Sequence, residues 1–237
     1  MMFALIAFDA DDTLWHTESL YVDVKGKLKE LLAPYHEPEW VEDRLYETEM
    51  RNLKVFGYGI KAFTLSMIET AIELTEGRIS GREIHQVIQL AKEMVSADIQ
   101  LLPHVADTVA TLAQNYPLMI ITKGDLLDQE AKIAKSGLGP YFRHVEIVSH
   151  KNRATYETIL NRHSITPERF LMVGNSLPSD ILPVLELGGY GVHIPHAVTW
   201  AHEAAAPPTN QPKFHQLDHL GHLPPLVHRL SNDKVQQ

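Results

Sequence analysis

Apolar residues fall into two kinds of pattern along the chain. Five short unbroken runs read as buried strands, at 3–8, 118–121, 145–148, 170–173 and 191–194. Around the last four, apolar positions recur at helical spacing over 107–114, 126–136, 154–163 and 181–187. Gly137 and the pair Gly188-Gly189 act as stops. Strands alternating with helices predict an α/β fold, a doubly wound parallel sheet with helices on both faces. The first connection differs. Residues 9–117 carry helical periodicity and no convincing strand, with candidate helices near 20–33, 38–53, 60–75 and 81–97. Pro34, Gly57-Tyr58-Gly59, Gly77 and Pro103 punctuate them, and Ser80 with Glu83 spells a capping box. This predicts an all-helical insert over 16–102 within a core made of 1–15 and 103–237. Met50, Met67 and Met94 read as the insert's core. The tail beyond Pro207-Pro208 is rich in Pro and His and predicts one short helix, 223–230, then a frayed end.

Composition narrows the function. Of 237 residues, 44% are hydrophobic and 22% charged, an ordinary globular balance that argues against disorder. Lys plus Arg number 21 and Asp plus Glu 30, a net charge of −9, which argues against nucleic acid and lipid surfaces as partners. No apolar run approaches the roughly 20 residues that span a bilayer. The apolar start has no cationic lead and meets Asp9 after eight residues, so it reads as a strand and not a signal peptide. The chain has no cysteine, which excludes disulfides, thiolate zinc sites and a cysteine nucleophile. A cytoplasmic location is the expectation.

The chemistry gathers at the predicted strand ends. Asp9-Ala10-Asp11-Asp12-Thr13 follows the first strand, and ligands of doubly wound sheets sit beyond the carboxyl ends of strands. Three carboxylates within four residues repel one another unless a cation or functional tuning offsets the repulsion. Hard oxygen donors suit Mg²⁺. Thr122-Lys123-Gly124-Asp125 ends the second strand, Ser149-His150-Lys151 the third, and Gly174-Asn175-Ser176 through Asp180 the fourth. Each alone fits a solvated turn; together, in this order, they converge on one crevice. A phosphate loop is excluded because Lys123-Gly124 lacks the Gly-Lys-Ser/Thr sequence. His215, His219 and His222 read as a surface cluster in preference to a zinc site. His193 and His196 read as rim packing, and Trp15 as hinge packing.

Through Asp9, Asp11 and Thr13, then Thr122, Lys151 and the acidic loop 174–180, the chain resembles the haloacid dehalogenase superfamily, in particular its phosphatase branch. The likeness spans nearly the whole length, and the helical insert resembles the family's cap domain. The resemblance implies that Asp9 is the nucleophile, forming an aspartyl-phosphate, and that Asp11 is the general acid and base. Thr122 and Lys151 would hold the phosphoryl oxygens. Mg²⁺ would lie on Asp9, the Asp11 carbonyl, Asn175 and Asp180. Asp11 favours a phosphatase over the dehalogenase branch, which has no acid there. Asn175 departs from the family's usual acid and implies weaker metal binding. The expected substrate is a small phosphorylated metabolite, with Lys123, Lys61 and Arg51 as candidate contacts to its anionic parts. A phosphomutase, a 2-haloacid dehalogenase and a non-catalytic binding protein are the alternatives. The sequence leaves monomer and homodimer open.

Overall fold

Six strands form one sheet: β1 (Leu5–Phe8), β2 (Leu118–Lys123), β3 (His144–Val148), β4 (Phe170–Gly174), β5 (Tyr190–His193) and β6 (Phe214–Gln216). Their order is β3-β2-β1-β4-β5-β6, and every neighbouring pair is parallel. The computed structural model describes residues 3–197, 200–203 and 205–233. The unbroken apolar runs have a direct cause, since both faces of the central strands are covered. Ile6, Phe8, Leu118, Ile120, Leu171 and Val173 join α5 (Val105–Ala113) and α9 (Leu223–Asp233) in one apolar cluster. The alternate residues Leu5, Ala7, Met119, Ile121, Phe170 and Met172 join α7 (Arg153–Arg162) and α8 (Leu182–Glu186) in another.

The chain runs outward from β1 to β2 and β3, then crosses to β4 on the other flank of β1. That reversal puts the switch point between the carboxyl ends of β1 and β4, where such sheets hold ligands. The third strand of that flank, β6, escapes sequence reading because Phe214-His215-Gln216 is too short and too polar to form an apolar run. The helix expected at 181–187 is α8, and a π-helical turn, Leu177–Ile181, leads into it where a loop was expected. Each piece has a proline, Pro178 and Pro183, in its first turn. The tail helix α9 reaches Asp233; the expected frayed end, 234–237, lies outside the described residues.

The chain divides into two compact units. One comprises Met1–Glu18, Ile99–Lys123 and Lys132–Gln237; the other comprises Ser19–Asp98 and Gly124–Ala131. Residues 16–18 and 99–102 group with the sheet because the connecting strands bond each other: His16 N–H donates to Gln100 O and Leu102 N–H to Leu14 O, both at 3.0 Å. The helical unit holds α1 (Glu18–Leu32) beyond its first residue, α2 (Pro38–Phe56), α3 (Ile60–Leu74) and α4 (Gly81–Ser96). Val24, Leu28 and Leu32, then Val41 and Leu45, then Phe63, Met67, Ala71 and Leu74 recur three or four apart and bury one shared stripe with Val87 and Met94. Met50 is only half-buried and stands outside that cluster. The capping box of α4 is formed, with Ser80 N–H donating to Glu83 Oε2 at 2.7 Å and Glu83 N–H to Ser80 Oγ at 3.2 Å.

Candidate active site

Asp9 follows β1 directly, buried, with its backbone N–H on Val173 O at 2.9 Å. Its carboxylate meets two side chains. Lys151 Nζ donates to Oδ1, and Thr13 Oγ1 lies 3.1 Å from Oδ2. Lys151 comes from the loop between β3 and α7, where Asn152 caps α7 by accepting Thr155 N–H at 3.0 Å. The same ammonium donates to Asp180 Oδ1 at 2.7 Å, and Asp180 Oδ2 accepts Ser176 N–H at 3.0 Å. Gly174 permits this fold-back, because a Cβ there would stand 2.2 Å from Asp180 Oδ2. Thr13 also ties in Asn175: its oxygen accepts Asn175 N–H at 3.1 Å and lies 3.1 Å from Asn175 Oδ1. One hydroxyl has one proton, so Thr13 donates either to Asp9 or to Asn175.

Two buried carboxylates thus share one ammonium. Asp9 is pushed up to about 7, chiefly by burial, with Asp180 and Asp11 adding to the rise and Lys151 pulling against it. Burial also works against the Lys151 cation, but Asp180 and Asp9 outweigh it and hold its pKa above the ordinary lysine value. Beneath the loop, the buried Tyr156 hydroxyl donates to Ser179 O at 3.0 Å. Burial, then Asp180, Asp9 and Glu203, raises its pKa well above the usual phenol value.

The other two acids of the cluster have separate partners. Asp11 Oδ1 accepts Trp15 Nε1–H and Thr17 Oγ1–H, each at 2.8 Å, and pairs with Lys132 Nζ at 3.2 Å. Trp15 is fully buried in the core, with its indole N–H aimed at that acid. Asp12 takes a left-handed backbone, φ 58°, and caps the start of α1 by accepting Thr17 N–H at 2.8 Å and Glu18 N–H at 3.1 Å. Burial pushes its pKa up, against the pull of those two backbone donors.

Thr122 is buried at the end of β2, next to β1 in the sheet. Lys123 donates to Ser179 Oγ at 2.9 Å and to Glu203 Oε1. Glu203, from the tail, also accepts Ser179 Oγ at 2.7 Å and Ser176 Oγ. Burial alone would raise this acid, but Lys123 and the two serine hydroxyls outweigh it and hold Glu203 at about 2. Arg51 and Lys61 belong to the helical unit and have acidic partners there: Arg51 pairs with Glu73 at 3.1 Å and Glu69 at 3.4 Å, and Lys61 with Asp125 at 3.0 Å. Gly59, at φ 115°, lets the chain pass, since a Cβ there would stand 3.1 Å from Asp125 N. The structure therefore brings Asp9, Lys151, Asp180 and Asn175 into one bonded group, places Asp11 and Thr122 on adjoining strand ends, and leaves Lys123, Arg51 and Lys61 paired with acids. Glu203, Tyr156 and Lys132 carry no motif and are found only from the fold, while Ser176 and Ser179 lie in the acidic loop and show their partners only in the structure. His219 stacks on His104, with ring centroids 4.4 Å apart, and lies tilted against His222 at 4.0 Å.

A profile of haloacid dehalogenase-like hydrolases matches residues 3–188. No curated protein matches. A haloacid dehalogenase-like family hydrolase from Xanthomonas campestris is 38% identical, with a TM-score of 0.89, over 100% of this chain and 95% of that one. L-2-haloacid dehalogenase from Xanthobacter autotrophicus shares the fold at 18% identity and a TM-score of 0.64, covering 96% of this chain and 99% of that one. So does a predicted phosphoglycolate phosphatase from Haemophilus somnus, at 17% identity and a TM-score of 0.64, with coverage of 96% and 99%.

Proposed function

The chain belongs to the haloacid dehalogenase-like hydrolases, and on that premise we propose that it is a phosphatase cleaving a small phosphomonoester through an aspartyl-phosphate. The observation that supports this reading best is Asp11. It lies two residues beyond Asp9, close enough for its charge to act on Asp9. Breaking a phosphorus–oxygen bond to an alcohol leaves an alkoxide that needs a proton, whereas breaking a carbon–halogen bond leaves a halide that needs none. An acid at position 11 serves the first reaction and is idle in the second.

In this reading an Asp9 oxygen attacks phosphorus. The bond from phosphorus to the ester oxygen breaks, and that oxygen leaves with the Asp11 proton. Asp11, now a carboxylate, takes a proton from a water molecule whose oxygen attacks the same phosphorus. The bond between Asp9 and phosphorus breaks, phosphate departs, and Asp9 is a carboxylate again. Lys151 and the Thr122 hydroxyl hold the phosphoryl oxygens, because phosphoryl transfer is mostly positioning and charge neutralisation.

The residues fit a Mg²⁺ ion. Asp9, Asp180, the Asn175 amide oxygen and the Asp11 carbonyl are hard oxygen donors. Asp9 and Asp180 are two buried carboxylates that share the single Lys151 ammonium, so one cation faces two acids there. Asn175 adds a ligand atom without charge, and among the described residues no three His, Cys, Asp or Glu side chains form a metal-holding group. When bound, Mg²⁺ supplies the positive charge that lets a phosphate dianion approach two carboxylates. Asn175 also favours a second reading, a protein that binds a phosphorylated metabolite without cutting it.

The test is hydrolysis of 4-nitrophenyl phosphate with and without Mg²⁺, by wild type and Asp9→Asn, beside chloride release from 2-chloropropionate. Magnesium-dependent phosphate release that falls to background in Asp9→Asn is expected. Chloride release without phosphate release overturns the phosphatase reading, and binding of a phosphate ester with neither product favours the second one.

A further inference from the structure

Asp11 is held from several sides. Trp15 Nε1 and Thr17 Oγ1 both donate to its Oδ1 at 2.8 Å, and Lys132 Nζ lies 3.2 Å from Oδ1 and 3.3 Å from Oδ2. The first two donors come from the turn that follows Asp11, which Asp12 N–H closes by donating to Trp15 O at 2.7 Å. Lys132 comes from α6 (Leu126–Ser136), 121 positions later in the chain. It is 8% exposed. A lysine so buried costs free energy unless its charge is met, so its place against a carboxylate is a built feature and not a loose surface pair.

An aspartate side chain turns about two bonds, and those turns carry its oxygens over several ångströms. Proton transfer requires the acid oxygen within about 2.6–3.2 Å of the atom it serves. Trp15 and Thr17 fix one oxygen. Lys132, which reaches both, fixes the plane of the carboxyl group. We propose that Lys132 is a positioning residue for proton transfer: it holds the Asp11 carboxyl in one orientation, as a carboxylate in the free protein, and the negative charge of the incoming phosphate shifts Asp11 to the protonated form that serves the leaving oxygen. The proposal rests on the phosphatase reading and on the role of Asp11 in it.

Loss of a positioning residue has a selective consequence. An aryl phosphate such as 4-nitrophenyl phosphate leaves readily without a proton, whereas an alkyl phosphate such as glycerol 1-phosphate does not. General acid catalysis contributes about 10²–10⁴-fold, so a misplaced acid forfeits a large part of that on the alkyl ester alone. The ratio kcat/KM isolates the first phosphoryl transfer, before water enters. Lys132→Met should lower kcat/KM for glycerol 1-phosphate about 30-fold or more and that for 4-nitrophenyl phosphate by less than about 3-fold. Lys132→Arg, whose guanidinium also reaches both oxygens, should restore most of the difference. A merely structural lysine would lower both esters in proportion, and that result overturns the proposal. Asp11→Asn is the control. If it leaves the alkyl ester untouched, the reading of Asp11 as acid has failed; if it abolishes that ester's turnover while Lys132→Met shows no selectivity, the proposal for Lys132 has failed. Should Lys132→Met not fold, Thr17→Val removes one Oδ1 donor and should show the same selectivity at smaller size; equal effects on both esters then overturn the proposal.

Discussion

Asp9, Asp11 and Asp12 crowd one short turn, and each repulsion is answered locally. Lys151 meets the first, Lys132 the second, and the N–H groups of Thr17 and Glu18 the third. The sequence announces the cluster and, through the strand-end segments, Lys151, but not Lys132, because a lysine on a helix is usually solvated. It announces Asn175 clearly. In the proposed metal site Asn175 is the neutral member, so charge there should set affinity. Asn175→Asp is expected to tighten Mg²⁺ binding about tenfold, or about 1.4 kcal/mol, by titration calorimetry. Unchanged or weaker binding would count against Asn175 as a ligand.

The elements that carry the site depend on close backbone passage. At the end of β4 the chain folds Asp180 back over Gly174, at a distance that no side chain at 174 allows. Gly174→Ala should displace Asp180, cost about 1–3 kcal/mol in denaturant unfolding, and remove most activity by releasing Lys151 from one of its two acids. Retained activity would show that Asp180 is dispensable for holding Lys151. Central strands and the helices of the insert are legible in the sequence because burial on both faces, or on one stripe, writes itself as apolar runs or helical spacing. The rest is illegible for equally physical reasons. Strand β6 borrows its order from β5, and Gly124–Ala131 groups with the helical unit through contacts such as Lys61 with Asp125 that no local pattern encodes. The π-helical turn at Leu177–Ile181 lies in a segment whose glycine, serines and proline read as a loop.

At the scale of the whole molecule, Glu203 ties the tail to the ends of β2 and β4 through Lys123, Ser176 and Ser179. Its pKa falls from about 4.5 to about 2 on folding, equivalent to about 3 kcal/mol. A group depressed in the folded state stabilises above its unfolded value, so this contribution is complete above about pH 4.5 and is lost as pH falls toward 2. Urea unfolding at pH 6 and pH 3 should therefore show a steeper loss for wild type than for Glu203→Gln. Parallel losses would mean that the tail carboxylate adds nothing to stability.

The sheet order also fixes a schedule for the chain during its synthesis. β1 is central, yet its flanking partners begin at Leu118 and Phe170. Phe170 comes 162 positions after Phe8, so at about 5–20 residues per second the strand that leads into Asp9 waits roughly 10–30 s on the ribosome before its second neighbour exists. Until β2 is made, Leu5-Ile6-Ala7-Phe8 is an apolar ribbon with both edges open, and one edge stays open until β4, the kind of segment that nascent-chain chaperones shield. The strand that leads into Asp9 is translated well before the two strands that flank it.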